Sequence, residues 1–109
     1  MFRKFIRMIN TKDELFTILK EHHSRLFELG VNRLGVFGSF VRDNANAESD
    51  IDLIVEFREG KKSLRNLVEL GDYLELISGR KVELVTLASL SPFIGLKILS
   101  STEYVSIAA

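Results

Sequence analysis

The chain has no cysteine, a single proline and no net charge, because 15 Lys and Arg balance 15 Asp and Glu over 109 residues. The missing cysteines exclude a disulfide framework and thiolate metal sites. They suit a reducing cytoplasm, where the protein is expected. One proline and seven glycines exclude a collagen-like or linker composition. A balanced charge, with a sequence pI of about 6.7, argues against a dedicated nucleic-acid binder, which carries a basic excess. Any anion site must therefore be local. No apolar run nears the ~18 residues of a membrane-spanning helix. The basic start, Met1 to Arg7, is not followed by the apolar core of a signal peptide. What is present is 46% apolar residues, enough to fill one core and too many for disorder.

The pattern predicts a short N-terminal extension over residues 1–10 and one domain over residues 11–109. Phe2, Phe5, Ile6 and Ile9 recur at helical spacing within the extension. Thr11 and Glu14 form a capping box. Leu15, Ile18, Leu19, Leu26 and Leu29 then share a helical face up to Gly30, which predicts one helix over Thr11 to Leu29. Arg33 to Phe37 reads as a strand broken by Gly38-Ser39, with one helical turn at Phe40-Val41-Arg42. A polar loop follows from Asp43 to Ser49, then a strand over Asp50 to Phe57 and a turn over Arg58 to Lys62. Ser63 caps a helix to Ser78, with Leu64, Leu67, Val68, Leu74 and Ile77 on its apolar face and Gly79 ending it. A strand over Lys81 to Thr86 is followed by a helix from Pro92 to Ser100, with Phe93, Leu96, Ile98 and Leu99 available for burial. Tyr104-Val105 forms a last extended piece. The order predicts an α/β (α+β) domain with a small mixed sheet flanked by helices.

Three features carry chemistry. Gly38-Ser39 follows a strand. There glycine lets the backbone approach a ligand, N–H groups at a following helix start favour phosphate, and the serine hydroxyl adds a donor. By itself such a pair is most often only a turn. Asp50 and Asp52 lie two apart on a strand and so point the same way, with Ile51 and Leu53 opposite. Their mutual repulsion is relieved by a divalent cation, and Mg²⁺ is usually held by one or two carboxylates plus substrate phosphates; the bland alternative is two solvated aspartates. Glu83 is a lone acid within the apolar run Val82 to Val85, and alone it reads as well as a water-facing residue. Combined, a phosphate turn and three carboxylates suit phosphoryl transfer at two metal ions.

The run Gly38-Ser39, ten residues, then Asp50-Ile51-Asp52 resembles the GSX10DXD signature of the polymerase-beta-like nucleotidyltransferases. The longer runs Phe37 to Arg42 and Ser49 to Val55 are similar to the minimal nucleotidyltransferases, which are encoded beside HEPN-domain partners. The resemblance covers about Thr11 to Tyr104. It implies a nucleotidyltransferase fold, ATP as substrate and Mg²⁺ as cofactor, in two ions. It implies that Asp50, Asp52 and Glu83 are metal-binding and catalytic, with Glu83 as a general base, and that Gly38 and Ser39 hold the β- and γ-phosphates. It further implies transfer of AMP to a tyrosine of a HEPN toxin, which silences the toxin. Two positions depart from the family's commoner residues. Glu83 stands where aspartate is usual, and Asp43 stands where glycine is frequent.

Arg42 reads either as a phosphate contact or as a solvated turn residue. His22 and His23 are adjacent and lack metal-pair spacing, so they read as helix surface. Lys61, Lys62 and Arg65 read as a solvated edge. Phe93, Leu96 and Leu99 read as core or as a partner face. Two other readings stay open. The domain could neutralise its partner by contact alone, with vestigial acids. It could instead act on a small molecule or RNA, although no acceptor-holding second domain is expected in 109 residues. That absence favours a protein partner that brings the hydroxyl, in a homo-oligomer or hetero-oligomer.

Overall fold

The computed structural model describes residues 8–42, 44–90 and 92–108, with the backbone alone for residues 92–94. The elements are α1 (Lys12–Glu21), α2 (His23–Glu28), β1 (Val31–Phe37), β2 (Ile51–Phe57), α3 (Leu64–Ser78), β3 (Val82–Val85), a 3₁₀ turn (Leu87–Ser89), α4 (Pro92–Ser100) and β4 (Glu103–Ser106). The α/β expectation holds, with one mixed sheet ordered β3-β2-β1-β4.

Local chemistry starts the helices. Thr11 accepts the Glu14 N–H at 3.1 Å, while Glu14 accepts the Asn10 N–H at 2.6 Å. Thr11 thereby satisfies one orphan donor of the helix, while Glu14 reaches one residue past the expected capping-box partner, to Asn10 rather than Thr11. Ser63 caps α3 by accepting the Asn66 N–H at 3.0 Å. Gly79 ends α3 at φ 71°, in the left-handed region glycine occupies without a Cβ penalty. The single helix expected over Thr11 to Leu29 is two helices, broken at His22. The heptad-like pattern is blind to this break, because Leu15, Ile18, Leu19, Leu26 and Leu29 are all buried on either side of it. His22 is half-buried, and its Nδ1 lies 2.6 Å from the Tyr73 hydroxyl on α3.

The sheet alternates faces. Ile51, Leu53 and Val55 of β2 join Leu34 and Val36 of β1 and Val105 of β4 against α1 and α3. This is the main core, and Ile9 belongs to it at 1% exposure. The Ile9 N–H donates to the Ser78 carbonyl at 3.1 Å. Met8 to Asn10 is not helical, and the rest of the expected amphipathic extension, Met1 to Arg7, lies outside the described residues. β2 and β3 run parallel with α3 as the crossover, which parallel strands need.

Two apolar faces are corrected. In α3, Leu70 and Leu74 are buried, whereas Leu64 is 77% exposed and Val68 54%. In α4, Leu96 is 74% exposed, while Ile98 and Leu99 are half-buried. The Phe93 side chain lies outside the described residues. In each helix fewer apolar residues are buried than its composition offers, so composition overstates burial. Among the described residues no helix is long and apolar enough to cross a membrane.

Candidate active site

The candidate residues meet on the sheet face opposite the core. β2 alternation puts Ile51 and Leu53 inward and therefore Asp52 outward. The register pairs Asp52 with Phe37 of β1 on one side and with Glu83 of β3 on the other. Parallel pairing sets the two carboxylates on one face of neighbouring strands. Asp50 precedes β2 by one residue and is half-buried, whereas Glu83 is exposed.

Gly38 sits immediately after β1 at φ 76°. A Cβ built there would lie 2.2 Å from Asp52 Oδ2 and 3.1 Å from its Cγ. Glycine is therefore required twice, by the backbone angle and by the carboxylate packed on it. After Gly38 the chain makes one α-turn, with the Arg42 N–H donating to the Gly38 carbonyl at 3.3 Å and the Asn44 N–H to the Ser39 carbonyl at 3.1 Å. This is the single helical turn expected at Phe40-Val41-Arg42, and it does not continue as a helix. The N–H groups of Ser39, Phe40 and Val41 donate to no acceptor among the described residues. Free amides beside a serine hydroxyl suit an anion.

The electrostatics point the same way. Asp52 is pushed up to about 6, first by burial and then by the charges of Glu83 and Asp50 and its hydrogen bond with Glu83; Arg42 opposes this. Crowded carboxylates with a raised pKa mark a place that wants a cation. Among the described residues no three His, Cys, Asp or Glu side chains form a metal-holding group by themselves. Mg²⁺ does not need one, since one or two carboxylates and substrate phosphates complete its shell. The residues present therefore fit Mg²⁺ at Asp50 and Asp52, beside the Gly38-Ser39 turn.

All six sequence-predicted residues fall in one region. Gly38, Ser39 and Arg42 lie on the turn, Asp50 and Asp52 at the start of β2, and Glu83 on β3. Arg42 is exposed, and its charge is felt at Asp52. Asp43 lies outside the described residues. Sequence reasoning missed Arg80, which is 6% exposed. In Gly79-Arg80-Lys81 it looks like an ordinary basic turn, and the only available signal was its place two residues before β3.

Residues 12–105 match the family model described as nucleotidyltransferase domain. The protein adenylyltransferase MntA of Thermococcus cleftensis is 42% identical over 96 residues, covering 87% of this chain and 96% of that protein. A solved structure of a candidate minimal nucleotidyltransferase superposes with a TM-score of 0.74 at 30% identity, over 85% of this chain and 94% of that one. A complex of a tri-AMPylated Shewanella oneidensis HEPN toxin with an MNT antitoxin matches in fold, with a TM-score of 0.51 at 19% identity, over 78% of this chain and 69% of that one. The chain belongs to the nucleotidyltransferase-domain family, as a nucleotidyltransferase of the minimal type.

Proposed function

We propose that this nucleotidyltransferase transfers AMP from ATP to a protein hydroxyl, with a tyrosine of a HEPN-domain toxin as acceptor, and so acts as an antitoxin. One observation carries the reading. Asp52 packs its carboxylate on Gly38 of the phosphate turn while its strand neighbour Glu83 stands beside it. Donor phosphates and acid groups are thus held within one side chain's reach. The similarity to a protein adenylyltransferase along nearly its whole length supports the substrate class. The HEPN toxin in the structurally similar complex supports the partner class.

The chain's residues divide the work. The amides of Ser39 to Val41 and the Ser39 hydroxyl bind the β- and γ-phosphates. Arg42 adds positive charge at the same turn. Asp50 and Asp52 hold Mg²⁺, which when bound neutralises the triphosphate and polarises the reacting oxygens. Glu83 accepts the proton of the attacking tyrosine hydroxyl. The tyrosine oxygen bonds to the α-phosphorus, the bond to the bridging oxygen breaks, and pyrophosphate leaves with that electron pair. The sheet holds Asp52 and Glu83 on adjacent rigid strands, so their separation is set before substrate arrives.

Intact-mass spectrometry of a HEPN-domain partner incubated with this protein, Mg²⁺ and ATP tests the reading. An adenylyl-sized increment is expected with the wild type and none with a folded Asp52→Asn variant. A stable, inhibitory complex without any increment would replace transfer by neutralisation through contact.

A further inference from the structure

Arg80 is a buried cation held mainly by neutral oxygens. Its Nε donates to the Ile9 carbonyl at 2.6 Å, its Nη1 to the Asn46 and Ser49 carbonyls at 2.8 Å each, and its Nη2 to Asn10 Oδ1 at 3.0 Å. No ion pair to it occurs among the described residues. Its guanidinium lies 5.1 Å from the centre of the Phe40 ring. A buried charge is costly unless its donors are met, and here four bonds and an aromatic face meet them. The fork of the guanidinium suits this work, because planar donors in fixed directions can grip several carbonyls at once.

The oxygens it selects are informative. Ser49 immediately precedes Asp50. The next residue, Ile51, donates its N–H to the Lys81 carbonyl at 2.9 Å. Asp50 is therefore tied on one side to Arg80 and on the other to Lys81. Asn46 and Ser49 close a small turn on themselves, through a main-chain bond at 3.1 Å and the Ser49 hydroxyl accepting the Asn46 N–H at 2.9 Å. One guanidinium nitrogen grips both ends of that turn. Phe40, buried at 1%, belongs to the Gly38–Arg42 turn. Arg80 thus touches both halves of the motif, while its remaining bonds reach the segment before α1.

We propose that Arg80 is the positioning residue of this site, fixing the carboxylates of Asp50 and Asp52 relative to the Gly38-Ser39 turn by clamping the intervening loop. The proposal rests on the reading of the turn as the phosphate site and of the two aspartates as metal ligands. Arg80 itself touches neither substrate nor metal. Of residues 44–49 only Ala45 packs against the core, and the others are polar or, like Ala47, exposed, so the loop has little apolar burial to order it. Without the clamp, the loop leading to Asp50 would be held only at its ends, by Asn44 and Ala45 on one side and Ile51 on the other.

The test is Arg80→Lys in the full chain, with Mn²⁺ and ATP as the probe in place of the acceptor. Lysine keeps the charge, but its compact ammonium cannot span four acceptors. MnATP affinity, read by electron paramagnetic resonance, is expected to fall roughly 10–100-fold, the range for lost supports around metal ligands. Amide hydrogen exchange over residues 44–51 is expected to quicken by at least about tenfold, as that loop is released to open locally. Leu70→Ala, a core substitution on α3 away from the site, is the control for stability alone. It should lower the melting temperature and leave MnATP affinity unchanged. An Arg80→Lys protein with wild-type MnATP affinity and wild-type loop exchange overturns the proposal. If Arg80→Lys does not fold, Phe40→Leu removes the ring beneath the guanidinium, and wild-type MnATP affinity in that variant overturns it equally. If the wild type binds no MnATP, the reading of the site has failed, and loop exchange alone then decides whether Arg80 is the clamp.

Discussion

Replacing Gly38 with alanine places a methyl group where the Asp52 carboxylate already lies, 2.2 Å from Oδ2 and 3.3 Å from its Cβ. Two penalties add. The φ of 76° is left-handed, which costs a non-glycine residue about 1–2 kcal/mol. The carboxylate must also swing from its rotamer, at about 0.5–1.5 kcal/mol. Alanine's lower unfolded-state entropy offsets about 0.4–1 kcal/mol. The net expectation is about 0.5–3 kcal/mol of destabilisation, measured by urea unfolding and analysed as two-state. The decisive comparison is the same substitution in an Asp52→Ala background, where the methyl meets no carboxylate. The cost should drop to the backbone part, leaving a coupling of about 0.5–1.5 kcal/mol. AMP transfer by Gly38→Ala should fall about 10²-fold, because a displaced carboxylate misplaces the reacting groups. Equal destabilisation in both backgrounds would refute the argument that Gly38 is needed to seat Asp52.

The raised pKa of Asp52 sets a pH dependence in metal-free protein. Its folded value of about 6 exceeds the ordinary 3.8, so the folded state holds this proton more tightly than the unfolded chain. The resulting stabilisation is complete below the ordinary value and is lost as pH rises through about 6. The carboxyl is half exposed, so the full effect is discounted to about 1 kcal/mol. Asp52→Asn should therefore melt roughly 4–8 °C higher than wild type at pH 7.5 without metal, with the gap closing toward pH 5. A lower melting point at pH 7.5 would sink this account. Ser63→Ala removes the side-chain oxygen that accepts the Asn66 N–H. It should cost about 1 kcal/mol by chemical denaturation, with AMP transfer unchanged.

Much of the site was legible because its chemistry is local or periodic. Gly38-Ser39 announced a turn, and the two-residue spacing of Asp50 and Asp52 already meant one strand face. Glu83 was legible only as an acid in an apolar run, and its place beside Asp52 depends on β2 and β3 being parallel neighbours in register. Arg80 was not legible. Its role comes from carbonyls of residues 9, 46 and 49, and no side-chain pattern records where a distant carbonyl will point. The burial of α3 was half legible, since periodicity finds an apolar stripe but cannot say which edge of it meets the sheet. Leu64 and Val68 lie on the edge that does not.

By itself, the sequence determined the helix starts at Thr11 and Ser63, the stop at Gly79, the alternation of β2 and the spacing between the Gly38-Ser39 turn and the aspartate pair. These follow from capping, left-handed backbone and strand period, all interactions between residues a few places apart. The tertiary structure decided the strand order β3-β2-β1-β4, the meeting of Glu83 with Asp52, the seat of the Asp52 carboxylate on Gly38 and the grip of Arg80 on the motif loop. Each of these joins groups distant in the chain. Such contacts form only when burial of the common core brings the strands together, so their geometry belongs to the whole fold rather than to any segment of it.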